Sequence, residues 1–273
     1  MRNISPVKSY KEMHNYKSSS LFHYTKSNES LFSILKHGFL PTYNIEEFHY
    51  ETLEERSPEL IGIPMVCFCD IPLSCAEEHT KQYGEYALAL SKKWAIKNRI
   101  NPLLYVMNDS ILGMIDLLKE SANMVSSHNK QTNCWLRCYM ERYEVARMEL
   151  LAFTKTAPNY KENEWRYILH PQGISSSLDV WSNTNPWISG HKAQLLKNDD
   201  KLRLKESKKL QTNPLRFSCH DIKWIIVPNE QEIVKCCEKL RRTRHICGKI
   251  ITKEDRTILY TRIVSLERIR SDF

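Results

Sequence analysis

Residues 21–41 read LFHYTKSNESLFSILKHGFLP. The first five, LFHYT, are apolar, aromatic and β-branched, and read as a strand. Ser27 or Asn28 caps a helix in which Leu31, Ile34 and Leu35 form one apolar stripe, and Gly38 stops it at the left-handed position. The stretch therefore predicts strand, tight turn and helix, with Phe39-Leu40-Pro41 leading out. His23 sits in the middle of the strand. A packed core strand has no need of an imidazole, whereas a ligand pocket does. The competing reading is a structural histidine satisfied by one hydrogen bond.

Outward from this unit, residues 42–60 are acidic and irregular and read as a loop with one helical turn. IPMVCFCDIPLS (63–74) reads as a short buried strand between two prolines; alternation puts Cys67 and Cys69 on one face, Val66 and Phe68 on the other. A helical turn in EEHTKQY, a strand YALAL after Gly84, a short helix, a third strand in NPLLYVM (101–107) and a helix in IDLLKESANMVSSH follow. Residues 133–153 carry the strongest helical signal, with Trp135, Tyr139, Tyr143, Ala146, Leu150 and Phe153 on one face. TKTAPNYKEN reads as a polar loop, EWRYIL (164–169) as a strand and residues 171–190 as loop. KWIIVP (223–228) reads as a buried strand, NEQEIVKCCEKLRR as a helix, and TILYTRIVSLERI as strand-like in its first half. Strands and helices do not alternate regularly, and neither a Gly-x-Gly-x-x-Gly nor a P-loop motif is present. The expected class is α+β with a mainly antiparallel core.

Composition narrows the function. Of 273 residues, 41% are apolar, and the longest apolar run, IGIPMVCFC at 61–69, is about half of what a membrane span needs. The opening MRNISPVKSYKEMHNYKSSS has no signal-peptide core, so a cytoplasmic protein without a membrane partner is expected. Nine cysteines without a Cys-x-x-Cys pair read as reduced thiols, and the spacing of Cys67, Cys69, Cys75 and His79 matches no zinc pattern, so no metal is expected. Charge is uneven: residues 1–200 hold 22 basic against 23 acidic side chains, while residues 201–273 hold 18 against 9. A solvated basic surface explains that excess, and so does an acidic partner such as nucleic acid. Three regions are expected: a polar lead-in (1–20), a core (21–190) and a basic C-terminal extension packed on it (191–273).

The second stretch with chemistry is KENEWRYI. If it is a strand, Glu162, Glu164 and Arg166 share one side. Burying such charges is costly without a purpose; an exposed edge strand with an i, i+2 ion pair is the alternative.

His23-Tyr24-Thr25, followed by a helix ending Ile-Leu-Lys-x-Gly, resembles the opening of DarT-like ADP-ribosyltransferases. MVCFCDIPLS, His79, YGEYALALSKKWAIKNRINPLLY and ENEWRYI resemble the AbiGi family of bacterial abortive-infection proteins over roughly residues 21–230. That family carries the antitoxin label of a two-gene system. The transferase resemblance implies a split antiparallel sheet binding NAD in a cleft. It implies that His23 grips the adenosine ribose with Tyr24 and Thr25 close by, that Phe68 and Ser74 flank the nicotinamide, and that Glu164 is the catalytic carboxylate. Glu162 would deprotonate or orient the acceptor, and Arg166 would hold a phosphate or Glu164 itself. The AbiGi resemblance implies antiphage defence, and as the alternative an inactive antitoxin binding a partner protein or nucleic acid.

Overall fold

In a computed structural model, which describes residues 18–48, 59–106, 146–156 apart from 148, 162–169, 187–210 and 214–272, LFHYT lies in β1 (Ser20–Thr25). Most of the 1–20 lead-in, the helix expected in IDLLKESANMVSSH, most of that over 133–153 and most of the 171–190 loop lie outside the described residues. Helix α1 (Asn28–His37) follows, capped by Ser27, whose hydroxyl accepts from the Ser30 N–H at 3.2 Å. Its end differs in detail from the sequence reading. Gly38 has a positive φ of 87° but an extended ψ of −179°, because Phe39 and Leu215 exchange two backbone hydrogen bonds (3.0 and 2.8 Å). A Cβ on Gly38 would stand 2.8 Å from the Leu215 carbonyl oxygen, so this crossing requires glycine.

The expected acidic loop is instead β2 (Thr42–Phe48), paired through its whole length with β3 (Glu59–Cys69). Acidic side chains hid it: Glu46 is turned inward to an ion pair with Arg166 (2.9 Å), so it does not mark a solvated segment. Strand β3 is also longer than expected and runs through Pro64. The proline lies opposite Tyr43, whose N–H donates to the Ser207 hydroxyl (3.0 Å) rather than across the ladder. The alternation holds: Val66 and Phe68 enter the main core, and Cys67 and Cys69 enter separate clusters on the other face.

A 3-10 turn (Leu73–Cys75), α2 (Glu77–Tyr83), β4 (Tyr86–Ser91) and α3 (Lys92–Lys97) come next. The expected third strand breaks into β5 (Asn101–Pro102) and β6 (Leu104–Val106), with Leu103 between them donating to the Glu164 carbonyl (3.0 Å). The expected loop after residue 153 begins as β7 (Thr154–Thr156), which forms a two-stranded parallel ribbon with β6. EWRYI is β8 (Glu164–Ile168) as expected, and β9 (Ile188–Ser189) is a short bridge to β3.

The remainder is α4 (Gly190–Asn198), α5 (Asp200–Lys208), β10 (Ile222–Val227), α6 (Glu230–Arg242), a β11 (His245–Ile246)–β12 (Lys249–Ile250) hairpin, α7 (Lys253–Tyr260), β13 (Ile263–Ser265) and α8 (Leu266–Asp272). TILY is therefore helical, not strand-like. Thr252 and Asp255 form a capping box, and Leu259 buries against the core, which outweighs the β-branched residues' strand preference.

The main sheet runs β13-β10-β4-β1-β3-β8-β5, with β2 and β9 also on β3. All pairs are antiparallel except β10–β13. The fold is α+β, and the C-terminal quarter supplies two strands and much of the core: Phe217, Ile222, Ile225, Leu240 and Leu259 pack with Leu21, Leu35, Phe39, Phe68 and Trp94. Part of the C-terminal basic excess is structural. Arg216, Arg256 and Arg262 each donate to backbone carbonyls, of Cys247, of Leu240 and Thr243, and of Cys219 and Ile222.

The sheet parts between β1 and β3. β1 shares six register pairs with β4 but one, Phe22–Cys69, with β3. β2 occupies the same edge of β3 only up to Met65, because Met65 pairs with Thr42 on that edge and with Ile168 on the other. Residues 66–68 are thus left without a strand on the β1 side.

Candidate functional site

A cavity of about 430 Å³ opens at this parting, within the roughly 300–1,000 Å³ usual for small-molecule sites. Because two strands splay there, residues from both sheet faces reach it: His23 and Phe68 from one, Phe22, Tyr24, Cys67 and Cys69 from the other. Leu40 and the start of β2, α2, Lys155 on β7, and Glu162 and Glu164 complete its wall.

His23 spans the gap. Its Nδ1–H donates to the Cys67 carbonyl at 2.9 Å, doing by side chain what a ladder bond would otherwise do. Its ring packs edge-on against Phe39 and Phe68, with centroids 5.0 and 5.7 Å away. Burial holds its pKa below the ordinary value, more than the carbonyl bond raises it, so the ring is neutral and Nε2 is an acceptor. Nδ1 therefore has the structural role of the competing reading, and the ring also lines the cavity. Tyr24 lies behind it with a buried hydroxyl that has no hydrogen-bond partner among the described residues.

Across the cavity, five charges alternate. Arg166, wholly buried, donates through Nε to Glu164 Oε1 (2.7 Å), through Nη2 to Glu164 Oε2 (3.3 Å) and to Glu46 (2.9 Å), and through Nη1 to the Ala152 carbonyl (2.8 Å). Lys155 Nζ lies 2.8 Å from Glu162 Oε2 and 3.1 Å from Glu164 Oε2. The Glu164 N–H donates to the Tyr105 hydroxyl (2.8 Å), and the β3–β8 register sets Cys67 opposite Arg166, with its thiol near the Glu164 carboxylate. Burial pushes the Glu164 carboxyl up, but Arg166, Lys155 and that thiol together hold it down at about 2. Burial lowers Lys155, and the two glutamates more than reverse it, so the ammonium is fixed in its charged form. Burial raises the Cys67 thiol and pushes Cys69 up to about 12, so neither is a nucleophile at neutral pH.

The structure thus brings together His23, Tyr24, Phe68, Glu162 and Glu164 from the expected set. Thr25, Ser74 and Arg166 do not line the cavity. Ser74 is exposed on the 3-10 turn, and Arg166 is sealed behind Glu164, where it holds the carboxylate and has no path to a phosphate. Sequence reasoning missed Lys155, Glu46 and Tyr105. The first two lay in segments read as loops, and Tyr105 carried no signal beyond its strand.

A family model described as "Putative abortive phage resistance protein AbiGi, antitoxin" matches residues 37–228. The chain belongs to the AbiGi family. An AbiGi relative, the abortive phage resistance protein AbiGi of Lactococcus lactis subsp. cremoris, is 26% identical over 261 residues, covering 86% of this chain and all of the relative. No solved structure matches. The AbiGi match takes in β3 and β8, hence Cys67, Phe68, Glu162 and Glu164, and begins after His23. No helix among the described residues is long and apolar enough to cross a membrane.

Proposed function

We propose that this AbiGi-family protein acts in phage resistance as an NAD-dependent ADP-ribosyltransferase, with NAD bound in the crevice between β1, β3 and β8. The observation that carries this reading is that His23 and Glu164, from segments far apart in the chain, line one cavity at the point where the sheet parts. His23 Nε2 accepts a hydrogen bond from the adenosine ribose. Phe68, whose ring packs 5.7 Å from His23, walls that end and not the nicotinamide end that the resemblance implied. Glu164 faces the nicotinamide ribose. The C1′–N bond breaks and nicotinamide leaves with the electron pair. The cationic ribose is stabilised by the Glu164 carboxylate, which Arg166 holds ionised and in place. The acceptor's lone pair forms the new bond to C1′ and its proton passes to Glu162.

Purified protein incubated with labelled NAD and cell extract tests this directly. Glu164→Gln should cut label transfer by roughly 10²–10³, the scale of losing one transition-state electrostatic contact. Equal transfer by both proteins, or none by either, contradicts it.

The antitoxin in the family's description favours a second reading, a binding module with this cavity and no turnover. Expression separates the two. A transferase slows growth and Glu164→Gln relieves it; an antitoxin is harmless alone and binds the product of a neighbouring gene, or nucleic acid with a steep salt dependence through the basic C-terminal quarter.

A further inference from the structure

Among the described residues, the cavity wall carries three formal charges: Lys155, Glu162 and Glu164. His23 and His79 add none, since burial lowers both below their ordinary range. The described wall is therefore net negative, yet a dinucleotide brings a diphosphate. Placing that anion against two carboxylates without a cation is costly in a partly dry site.

The two cations of the network are not equivalent. Arg166 is wholly buried, bound to two carboxylates and a carbonyl, and fixed. Lys155 is about one-fifth exposed, and its ammonium sits on a flexible four-carbon stem with freely rotating donors. Its ribbon, β6–β7, lies outside the main sheet but is pinned to β8 by the bonds from Leu103 and to Tyr105, so the stem's root stays at the rim of the cavity. If Lys155 leaves, Glu164 still has Arg166 through two contacts, whereas Glu162 loses the ion pair that occupies it.

We infer that Lys155 is the diphosphate anchor of this site, and that in moving to the phosphates it releases Glu162 and Glu164 to face the ribose and the acceptor. The inference rests on the NAD reading. It makes the arrangement self-locking: the ammonium sits between the two carboxylates until an anion draws it away. The carboxylate pair and the anion therefore become available together.

The test is binding by the full chain and its Lys155→Met and Lys155→Arg forms, with four probes: ADP-ribose, NAD, nicotinamide riboside and inorganic pyrophosphate. Lys155→Met should weaken ADP-ribose and pyrophosphate at least about tenfold, the scale of one charge-assisted contact. It should leave nicotinamide riboside, which is cationic and lacks phosphate, unchanged or tighter. Lys155→Arg should restore anion binding in part. In the unaltered protein, pyrophosphate should shift the ¹³C resonance of the Glu164 side-chain carboxyl as its lysine partner departs, a readout that needs no variant to fold. Nucleotides bound equally by wild type and Lys155→Met overturn the anchor and leave the NAD reading standing. Pyrophosphate bound through Lys155 with no nucleotide bound overturns the NAD reading and leaves the anchor. No effect of pyrophosphate on either Lys155 or Glu164 overturns the anchor outright.

Discussion

Replacing Arg166 by Met removes the only fully buried charge in the network and leaves its partners in place. Glu164 keeps Lys155, but Glu46 loses the ion pair given by the guanidinium. Glu46, 14% exposed, keeps only the Asn44 amide among the described residues, while Glu164 loses two contacts and the Ala152 carbonyl its donor; together these losses cost on the order of 3–5 kcal/mol. At roughly 2–4 °C per kcal/mol for a chain of this size, the melting temperature should fall by about 6–20 °C at pH 7. Glu164→Gln is the control. It leaves Arg166 with Glu46 and Lys155 with Glu162, each still paired. The carboxylate's own advantage is bounded by its pKa, held at about 2 against an ordinary 4.5, or roughly 3.5 kcal/mol at about 1.4 kcal/mol per pH decade. Because this pKa is depressed in the fold, that stability is complete above pH 4.5 and fades as pH falls toward 2. Melting curves of wild type, both variants and the double variant at pH 7 and pH 4 give the comparison. Arg166→Met should be the more damaging at pH 7, and its deficit should shrink toward pH 4 as Glu164, pushed up by burial and no longer held down by Arg166, takes up a proton. An equal or larger fall for Glu164→Gln, or an Arg166→Met deficit that does not shrink in acid, would refute the charge alternation described for this site.

Three further outcomes follow from the same geometry. His23→Ala removes both the bond across the parted strands and the free acceptor, so it should lower the melting temperature and weaken NAD at least about tenfold in isothermal titration. Because His23 is neutral in the fold, wild-type NAD affinity should be flat from pH 6.5 to 8; a decline following a histidine titration over that range counts against its acceptor role. Gly84→Ala places a methyl group 2.3 Å from the Thr25 carbonyl oxygen at a φ of 108°, and should unfold the β1–β4 edge enough to abolish soluble expression or lower the melting temperature by more than 10 °C, roughly the effect of several kcal/mol.

Much of this was readable in the amino-acid order. LFHYT and EWRYI were legible as strands because β-branched and aromatic residues there fit a pleated, packed surface, and alternation in MVCFC placed Val66 and Phe68 apart from the cysteines. Glu162 and Glu164 stood out as acids at a strand's start. Three things were hidden. β2 was masked by Glu46 and Glu47, since a charged residue whose partner is 120 positions away looks solvated when read locally. Lys155 looked like a loop lysine because the β6–β7 pairing that places it is long-range and only three residues long. The parting of β1 from β3 is a property of which strand runs out first on one edge of β3, and register of that kind leaves no trace in either strand's own pattern.

The central claim is that one NAD molecule lies across the parted strands with its two riboses at opposite walls. A crystal structure of the Glu164→Gln protein soaked with NAD tests it most directly. The account predicts the adenosine ribose within hydrogen-bond distance of His23 Nε2 and the nicotinamide ribose beside residue 164. Density for the nucleotide elsewhere, or with the two ends exchanged, would contradict it, as would a crevice that stays empty at millimolar NAD.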